Sequence, residues 1–339
     1  MKRMKWLSVL LVLLMVAALA VTAGCTQPAA EPDPPEGNEE PAPEPEPAGK
    51  SRLTMASGWV TGVYYPLSGA MSRIAYENMD NISLSVESSG ASVANAKLIG
   101  SGDADLAILQ NDIAFYAFNG EKMFEEAVTN IQGAFMLYPE PCQIVVQSDS
   151  GITSPADLKG KRVAVGPLGS GTEGNAAQIL EAYGLTFDDI TVERLTAGES
   201  ADFLKDGRID AAFFTVGVGA SAIADLALLH DVTLVEIDDE HAAKLIENYP
   251  YYSKVTIPAD TYSGIDATQT VTVLAMVAAR AELSEEVMYE FTKGIFENLE
   301  SIHNAHDMGK EVTLESALEG MPLELHPGTA KYFKEKGIM

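Results

Sequence analysis

Positive charge is what this sequence has least of: lysine and arginine together number 22, against 49 aspartates and glutamates. A surface that acidic repels nucleic acid, which removes that class of partner. It does not exclude an anionic small molecule, because a helix N-terminus dominates inside a small cleft while diffuse surface charge is screened by salt. Cysteine is nearly absent as well. Only Cys25 and Cys142 occur, and no intrachain disulfide is expected in the mature form. Cys142, beside the apolar run Ile144-Val145-Val146, reads as a buried, inert thiol. Of the five histidines, only His303 and His306 stand at a spacing that hints at a metal, and no metal is assigned.

Marks of catalysis are also missing. A nucleophile elbow needs glycine two residues before and two after its serine, and around Ser170 those places hold Leu168 and Thr172. No Gly-Lys-Ser or Gly-Lys-Thr follows a glycine-rich turn, so there is no phosphate loop. No cofactor is implied. An enzyme would need a nucleophile and a base in mutual reach, and the sequence offers no such pair.

The chain opens with a basic start (Lys2, Arg3, Lys5), an apolar run from Trp6 to Val21, and Thr22-Ala23-Gly24-Cys25. That is the layout of a secretory signal, and the run is shorter than the ~20 residues of a comfortable membrane span. Small residues leading into a cysteine resemble a bacterial lipoprotein signal, in which Cys25 would receive lipid and become the mature N-terminus. Thr22 departs from that pattern, where leucine is usual, and a plain cleaved signal is the alternative. Residues 26–50 hold eight of the 17 prolines and seven acids, the composition of a solvated, extended tether. A lipid on Cys25 with such a tether would anchor the protein to a membrane on its extracytoplasmic face.

From Arg52 onward short apolar runs alternate with helix-length amphipathic ones, which predicts an α/β fold with mainly parallel strands. Predicted strands are Leu53 to Ala56, Ile82 to Val86, Asp105 to Leu109, Ile131 to Leu137, Gln143 to Gln147, Arg162 to Val165, Ile190 to Glu193, Ala211 to Phe214, Thr233 to Ile237 and Val271 to Ala279. A helix is expected from Pro66 to about Asn78, with Pro66 in its first position, and one long helix over Ser284 to His303. Gly102-Asp103-Ala104-Asp105-Leu106-Ala107-Ile108 is echoed by Gly207-Arg208-Ile209-Asp210-Ala211-Ala212-Phe213, a glycine cap followed by a buried strand in each case. Two related lobes follow: residues 51–141 with 275–339, and residues 142–274, with Cys142 to Gln147 and Val271 to Ala279 as crossover strands forming a hinge.

In open α/β sheets ligands bind beyond the carboxyl ends of the strands. That rule selects Trp59, Thr61, Gly62, Tyr64 and Tyr65 in the first glycine-rich loop, then Ser88, Ser89 and Ser92, then Gln110 and Asn111. In the second lobe it selects Ser170, Thr172 and Glu173, and Phe214 with Thr215. Three of these turns open helices whose free N–H groups could hold a carboxylate. Glu173 would favour a ligand bearing an ammonium or amide if it faced the cleft, and would say nothing if it only caps its helix.

The set Gly58 to Ala70, Glu87 to Asn95, Asp105 to Gln110, Gly166 to Thr172, Asp210 to Phe214, Tyr251 to Tyr262 and His326-Pro327-Gly328 resembles the solute receptors of tripartite ATP-independent periplasmic (TRAP) transporters, TAXI class. The resemblance covers nearly everything after the tether. It implies a two-lobe, type II periplasmic-binding fold that acts as a monomer, closes on a small solute and delivers it to the membrane permease subunits of a TRAP transporter. It also implies a solute like glutamate, glutamine or 2-oxoglutarate, anionic or zwitterionic. The arginine that clamps the carboxylate in DctP-type receptors has no clear counterpart here. An ABC-type substrate-binding lipoprotein is the alternative within the same fold, and a lipid-anchored enzyme the alternative outside it.

Overall fold

The computed structural model describes residues 50–339; the signal, the tether and Cys25 lie outside them. In chain order the elements are β1 (Ser51–Ala56), α1 (Tyr64–Asn78), β2 (Ile82–Glu87), α2 (Ser92–Ser101), β3 (Leu106–Gln110), α3 (Asn111–Asn119), β4 (Ile131–Gln147), β5 (Arg162–Ala164), α4 (Gly171–Ala182) and β6 (Thr191–Glu193). There follow α5 (Ala197–Lys205), β7 (Ala211–Thr215), α6 (Ser221–Leu229), β8 (Val232–Leu234), α7 (Asp239–Asn248), β9 (Ser253–Ile257), β10 (Thr268–Arg280), α8 (Glu285–Phe296), α9 (Leu299–His303) and α10 (Pro327–Lys336). Among the described residues no helix is long and apolar enough to cross a membrane.

The strands form one mixed sheet in the order β2-β1-β3-β10-β4-β7-β5-β6, with β8 on β4 and β9 on β10. β1 pairs in parallel with β2 and β3, and β5 with β6 and β7. Between these two parallel sets run β4 and β10, antiparallel to each other and to their neighbours. This is the α/β architecture with two crossover strands that the sequence pattern predicts, but the sheet is mixed rather than mainly parallel, because β4 and β10 run antiparallel to every strand they pair with.

Period-2 alternation explains the layering, since successive side chains of a strand point to opposite faces. Ala107 and Leu109 of β3, Ile144 and Val146 of β4, and Ala211 and Phe213 of β7 all feed one core that runs beneath both halves of the sheet. On the opposite face, Leu106 and Ile108 pack under α1, α8 and α10. Val145, Ala212 and Phe214 pack separately, with Leu204 of α5 and Ile223 of α6. The molecule therefore has one shared core and two separate ones.

Three local expectations are corrected, and one strand was not foreseen. Ile131 to Leu137 and Gln143 to Gln147 are one strand, in spite of Pro139 and Pro141. Two prolines at alternate positions remove N–H donors from a single edge, and up to Pro141 the one partner strand of β4 is β10. Pro66 is the third helical residue rather than the first, still within the turn whose N–H groups have no intrahelical partner. The helix expected over Ser284 to His303 breaks at Glu297-Asn298, where the Asn298 amide donates to the Gly294 carbonyl (2.8 Å) and competes with the helix for its own backbone. β9 was not foreseen, although Lys254-Val255-Thr256-Ile257 alternates polar and apolar and its burial follows; at five residues the run is short enough to pass for loop.

The internal echo has a structural counterpart. Asp105 accepts the backbone N–H of Thr54 (2.9 Å) and pairs with Arg280 (2.6 Å). Asp210 accepts the N–H of Arg162 (2.8 Å) and pairs with that residue's guanidinium (2.7 Å). Each thus fastens the start of a buried strand to its parallel neighbour. Gly102 (φ 79°) and Gly207 (φ 65°) supply the left-handed turn before them.

Candidate functional site

Five of the six parallel strands, all but β6, send their carboxyl ends toward one small cavity. Its wall is made by Gly58, Trp59, Gly62 and Tyr64 from the β1–α1 loop, Ala91 and Ser92 at the start of α2, and Gln110 at the end of β3. Gly171 and Thr172 at the start of α4, Thr215 and Val216 at the end of β7, and Glu140 of β4 complete it. Its volume is about 30 Å³, room for one or two waters.

The two halves reach the cavity in the same way. In the first, the Ser92 hydroxyl accepts the N–H of Gln110 (3.2 Å); in the second, the Thr172 hydroxyl accepts that of Thr215 (3.4 Å). A hydroxyl that has accepted in this manner keeps its own hydrogen to donate. Each half therefore presents a hydroxyl donor and the first turn of a helix, whose partial positive charge suits an anion.

Glu140 is the residue sequence reasoning missed. It is 3% exposed, it accepts the Tyr64 hydroxyl (2.7 Å) and, more loosely, that of Tyr138 (3.4 Å). Burial raises its pKa to about 8, against the lowering effect of the two tyrosines. Burial and the nearby Glu140 carboxylate in turn lift Tyr64 well above the usual phenol range. The signal was present: Glu140 is the only charged residue in the seventeen of β4, and it stands between two prolines. A charge set in an otherwise apolar strand is seldom buried without a reason.

Of the residues selected from the sequence, Trp59, Gly62, Tyr64, Ser92, Gln110, Thr172 and Thr215 line the cavity. The others do not. Ser88 and Thr61 are exposed, and Tyr65 is half-buried outside the wall. Ser89 is spent on its own turn, accepting the Ala91 N–H and donating to the Ser57 carbonyl. Asn111 ties α3 to β10, its amide oxygen accepting the Leu274 N–H (3.1 Å). Ser170 caps α4 by accepting the Glu173 N–H. Glu173 accepts the Gly169 N–H (3.0 Å) and pairs with Arg194 (2.7 Å), so its carboxylate is engaged in capping. Phe214 points into the core of the second half.

Three side-chain and backbone links join the halves beside the cavity. Asn175 of α4 donates to Asp112 of α3 (2.9 Å), Gln178 to the Tyr116 hydroxyl (3.2 Å), and the Ala94 N–H to the Gly169 carbonyl (3.2 Å). Asp112 is fully buried, and burial raises its pKa to about 6, opposed by the Ile113 N–H and by Asn175. Cys142 is buried, its thiol pushed up to about 12 by burial, with the Thr215 hydroxyl 3.6 Å away. Neither predicted histidine is arranged as a metal ligand. His303 bonds the Val312 carbonyl and His306 caps the 3-10 turn that follows it.

A mixed α/β sheet with two crossover strands and a cavity at the strand carboxyl ends defines the fold. Residues 55–337 match the NMT1-like family, and the chain belongs to it. Among solved structures, one from Bordetella bronchiseptica RB50 is similar with a TM-score of 0.53 at 16% identity, over 85% of this chain and 81% of that one. The periplasmic aliphatic sulphonate binding protein SsuA from Escherichia coli is similar at 0.48 and 16% identity, over 85% and 79%. The alkanesulfonate-binding protein SsuA from Xanthomonas axonopodis pv. citri, bound to MOPS, gives 0.48 and 14% identity over 85% of each chain. At 16% identity the likeness to the Bordetella bronchiseptica structure is one of fold.

Proposed function

We propose that this protein is an extracytoplasmic solute receptor that captures a small anionic or zwitterionic molecule between two lobes and hands it to a membrane permease. The observation that carries the reading is the cavity itself: five strand-to-helix junctions, three from the first half of the sheet and two from the second, converge on it with hydroxyls and helix starts. Lobe one is taken as residues 51–141 with 275–339, lobe two as residues 142–274. The hinge is the pair β4 and β10, where β4 passes from β10 to β7 at Pro141-Cys142. A cavity of about 30 Å³ admits a solute of amino-acid size only if the lobes part, which a hinge on two strands allows. Trp59 and Val216 would then supply apolar walls, and Ser92, Thr172 and Thr215 polar contacts.

The motifs shared with TAXI-class receptors support a TRAP permease as the partner, with the lipid on Cys25 holding the receptor at the membrane. The same cleft would serve an ATP-driven permease, and the permease encoded beside this gene separates the two. Capture without chemistry is the role; steady turnover of a bound compound would overturn it. The direct test is a thermal-shift screen of amino acids, 2-oxo acids and dicarboxylates. A ligand at 100 times its Kd is expected to add about 2.7 kcal/mol to stability. No stabilisation by any of them would count against the anionic or zwitterionic solute, whereas turnover would remove the receptor itself.

A further inference from the structure

One of the links between the lobes leaves two oxygens with nothing to bind. Asp112 of α3 and Asn175 of α4 are both fully buried and stand on opposite lobes, with Asn175 Nδ2 donating to Asp112 Oδ2 (2.9 Å). The remaining oxygen of each, Asp112 Oδ1 and Asn175 Oδ1, has no hydrogen-bond partner. A buried acceptor without a donor is costly, and two of them at one contact call for a common cause.

Turning the Asn175 amide over does not cure this. Its Nδ2 also donates to the Tyr252 hydroxyl (2.7 Å), which donates to Gln178 Oε1 (2.7 Å), and Gln178 Nε2 donates to the Tyr116 hydroxyl (3.2 Å). That chain of donors fixes the amide: reversed, its oxygen would face a carboxylate and a hydroxyl whose hydrogen is already given. A proton on Asp112 Oδ1 does cure it. A carboxylic acid that accepts an amide N–H with one oxygen turns its O–H toward the carbonyl of the same amide, so one hydrogen satisfies both orphans.

We infer that Asp112 and Asn175 form a proton-operated latch between the lobes, fastened as an acid–amide pair when Asp112 is protonated and weakened when it ionises. This rests on the two-lobe receptor reading and adds to it a control of closure that does not depend on which solute fills the cavity. The titratable groups that bear on Asp112 are Tyr116 of its own helix, Tyr64 of α1, Glu140 and Cys142 of β4, and Tyr251 and Tyr252 ahead of β9. None of them is a cation that would hold the carboxylate charged. Burial keeps Asp112 at about 6 with the lobes together; once they part and water reaches it, an ordinary value near 4 applies. A pKa raised in the closed form favours closure at low pH, and the advantage is lost as pH rises through about 6. Glu140, at about 8, keeps its proton across that window. The closing constant should therefore rise about tenfold from pH 7 to pH 5.

The Ala94 amide reads closure directly. It is the third residue of α2, where an N–H has no intrahelical acceptor, and it donates instead to the Gly169 carbonyl of the other lobe (3.2 Å). Its hydrogen exchange counts openings however rare they are. In the full wild-type chain we expect its protection, corrected for the intrinsic pH dependence of exchange, to rise about tenfold from pH 7 to pH 5. Asp112→Asn keeps the shape and sets an N–H where the acid has its O–H. Its protection should be flat with pH and about tenfold or more above wild type at pH 7. Asn175→Ala should be less protected than wild type at pH 5 and equally flat. Wild-type protection that is flat or falls toward pH 5, or an Asp112→Asn protein that titrates as wild type does, would overturn the latch and leave the receptor reading to the solute screen. An Ala94 amide that exchanges only by global unfolding, with the urea dependence of the core strands, would overturn the hinge and the receptor reading with it.

Discussion

Ala91 is held at φ 69° and ψ −148°, a region that is costly for any residue with a Cβ, on the order of 1–3 kcal/mol. It persists because its neighbours fix it. Ser89 accepts its N–H, Asn95 anchors the turn by donating to the Ile108 carbonyl (2.6 Å), and the Ala91 methyl is buried in the wall of the cavity and in the core behind it. Glycine would relieve the strain at the cost of a more flexible unfolded chain, about 0.4–1 kcal/mol. Ala91→Gly is therefore expected to raise stability by about 1 kcal/mol, or roughly 2 °C in Tm for a chain of this length. A calorimetric scan showing a fall instead would mean that the lost methyl contacts outweigh the strain.

At the scale of elements, Asp105 and Asp210 do the same job at different burial. The Asp105–Arg280 pair has side chains 17% and 29% exposed, the Asp210–Arg162 pair 30% and 45%. Removing a buried carboxylate leaves the Thr54 N–H and a half-buried guanidinium without partners, for which about 2–4 kcal/mol is usual. An exposed pair is worth about 1 kcal/mol or less, to which the loss of one backbone acceptor adds. Asp105→Ala should accordingly lower the urea-unfolding free energy more than Asp210→Ala does. Equal losses would show that burial does not rank the two. These aspartates also mark how far the sequence could be read. The glycine–aspartate–strand echo was legible because a cap, a turn and a buried strand each demand particular residue types within a few positions. Strand ends were legible for the same reason, and seven of the residues chosen from them line the cavity. Glu140 escaped the rule of strand ends, because it sits in the middle of a strand antiparallel to its neighbours; its own signal was the lone charge in an apolar run. Ser89, Asn111 and Glu173 stand at the right places but are spent on holding turns and elements together, and local sequence does not distinguish such a side chain from a binding one.

For the whole molecule, the two buried carboxylates set a pH dependence opposite to that of ordinary acidic residues. Asp112 and Glu140 hold their protons more tightly folded than unfolded, at about 6 and about 8 against ordinary values near 4. Their protonated forms fit the interior, so the stability they leave intact is fully present below about pH 4. It is lost as pH rises, between about 4 and 6 for Asp112 and between about 4 and 8 for Glu140. Carboxylates held low work in the other direction. Asp157, Asp189 and Asp210 are lowered chiefly by backbone or side-chain hydrogen bonds, and what they contribute is lost as pH falls below about 4. Stability should therefore peak near pH 4–5 and decline by a few kcal/mol, on the order set by ~1.4 kcal/mol per pKa unit, by pH 8. Glu140→Gln removes the larger part of that decline, so at pH 8 the variant should be more stable than the wild type. Urea unfolding of both proteins from pH 4 to pH 8 reads this directly. A wild-type midpoint that stays level or climbs from pH 5 to pH 8 would mean that both carboxylates ionise in the folded protein without cost. In that case Glu140 would already be charged in the folded protein near neutral pH.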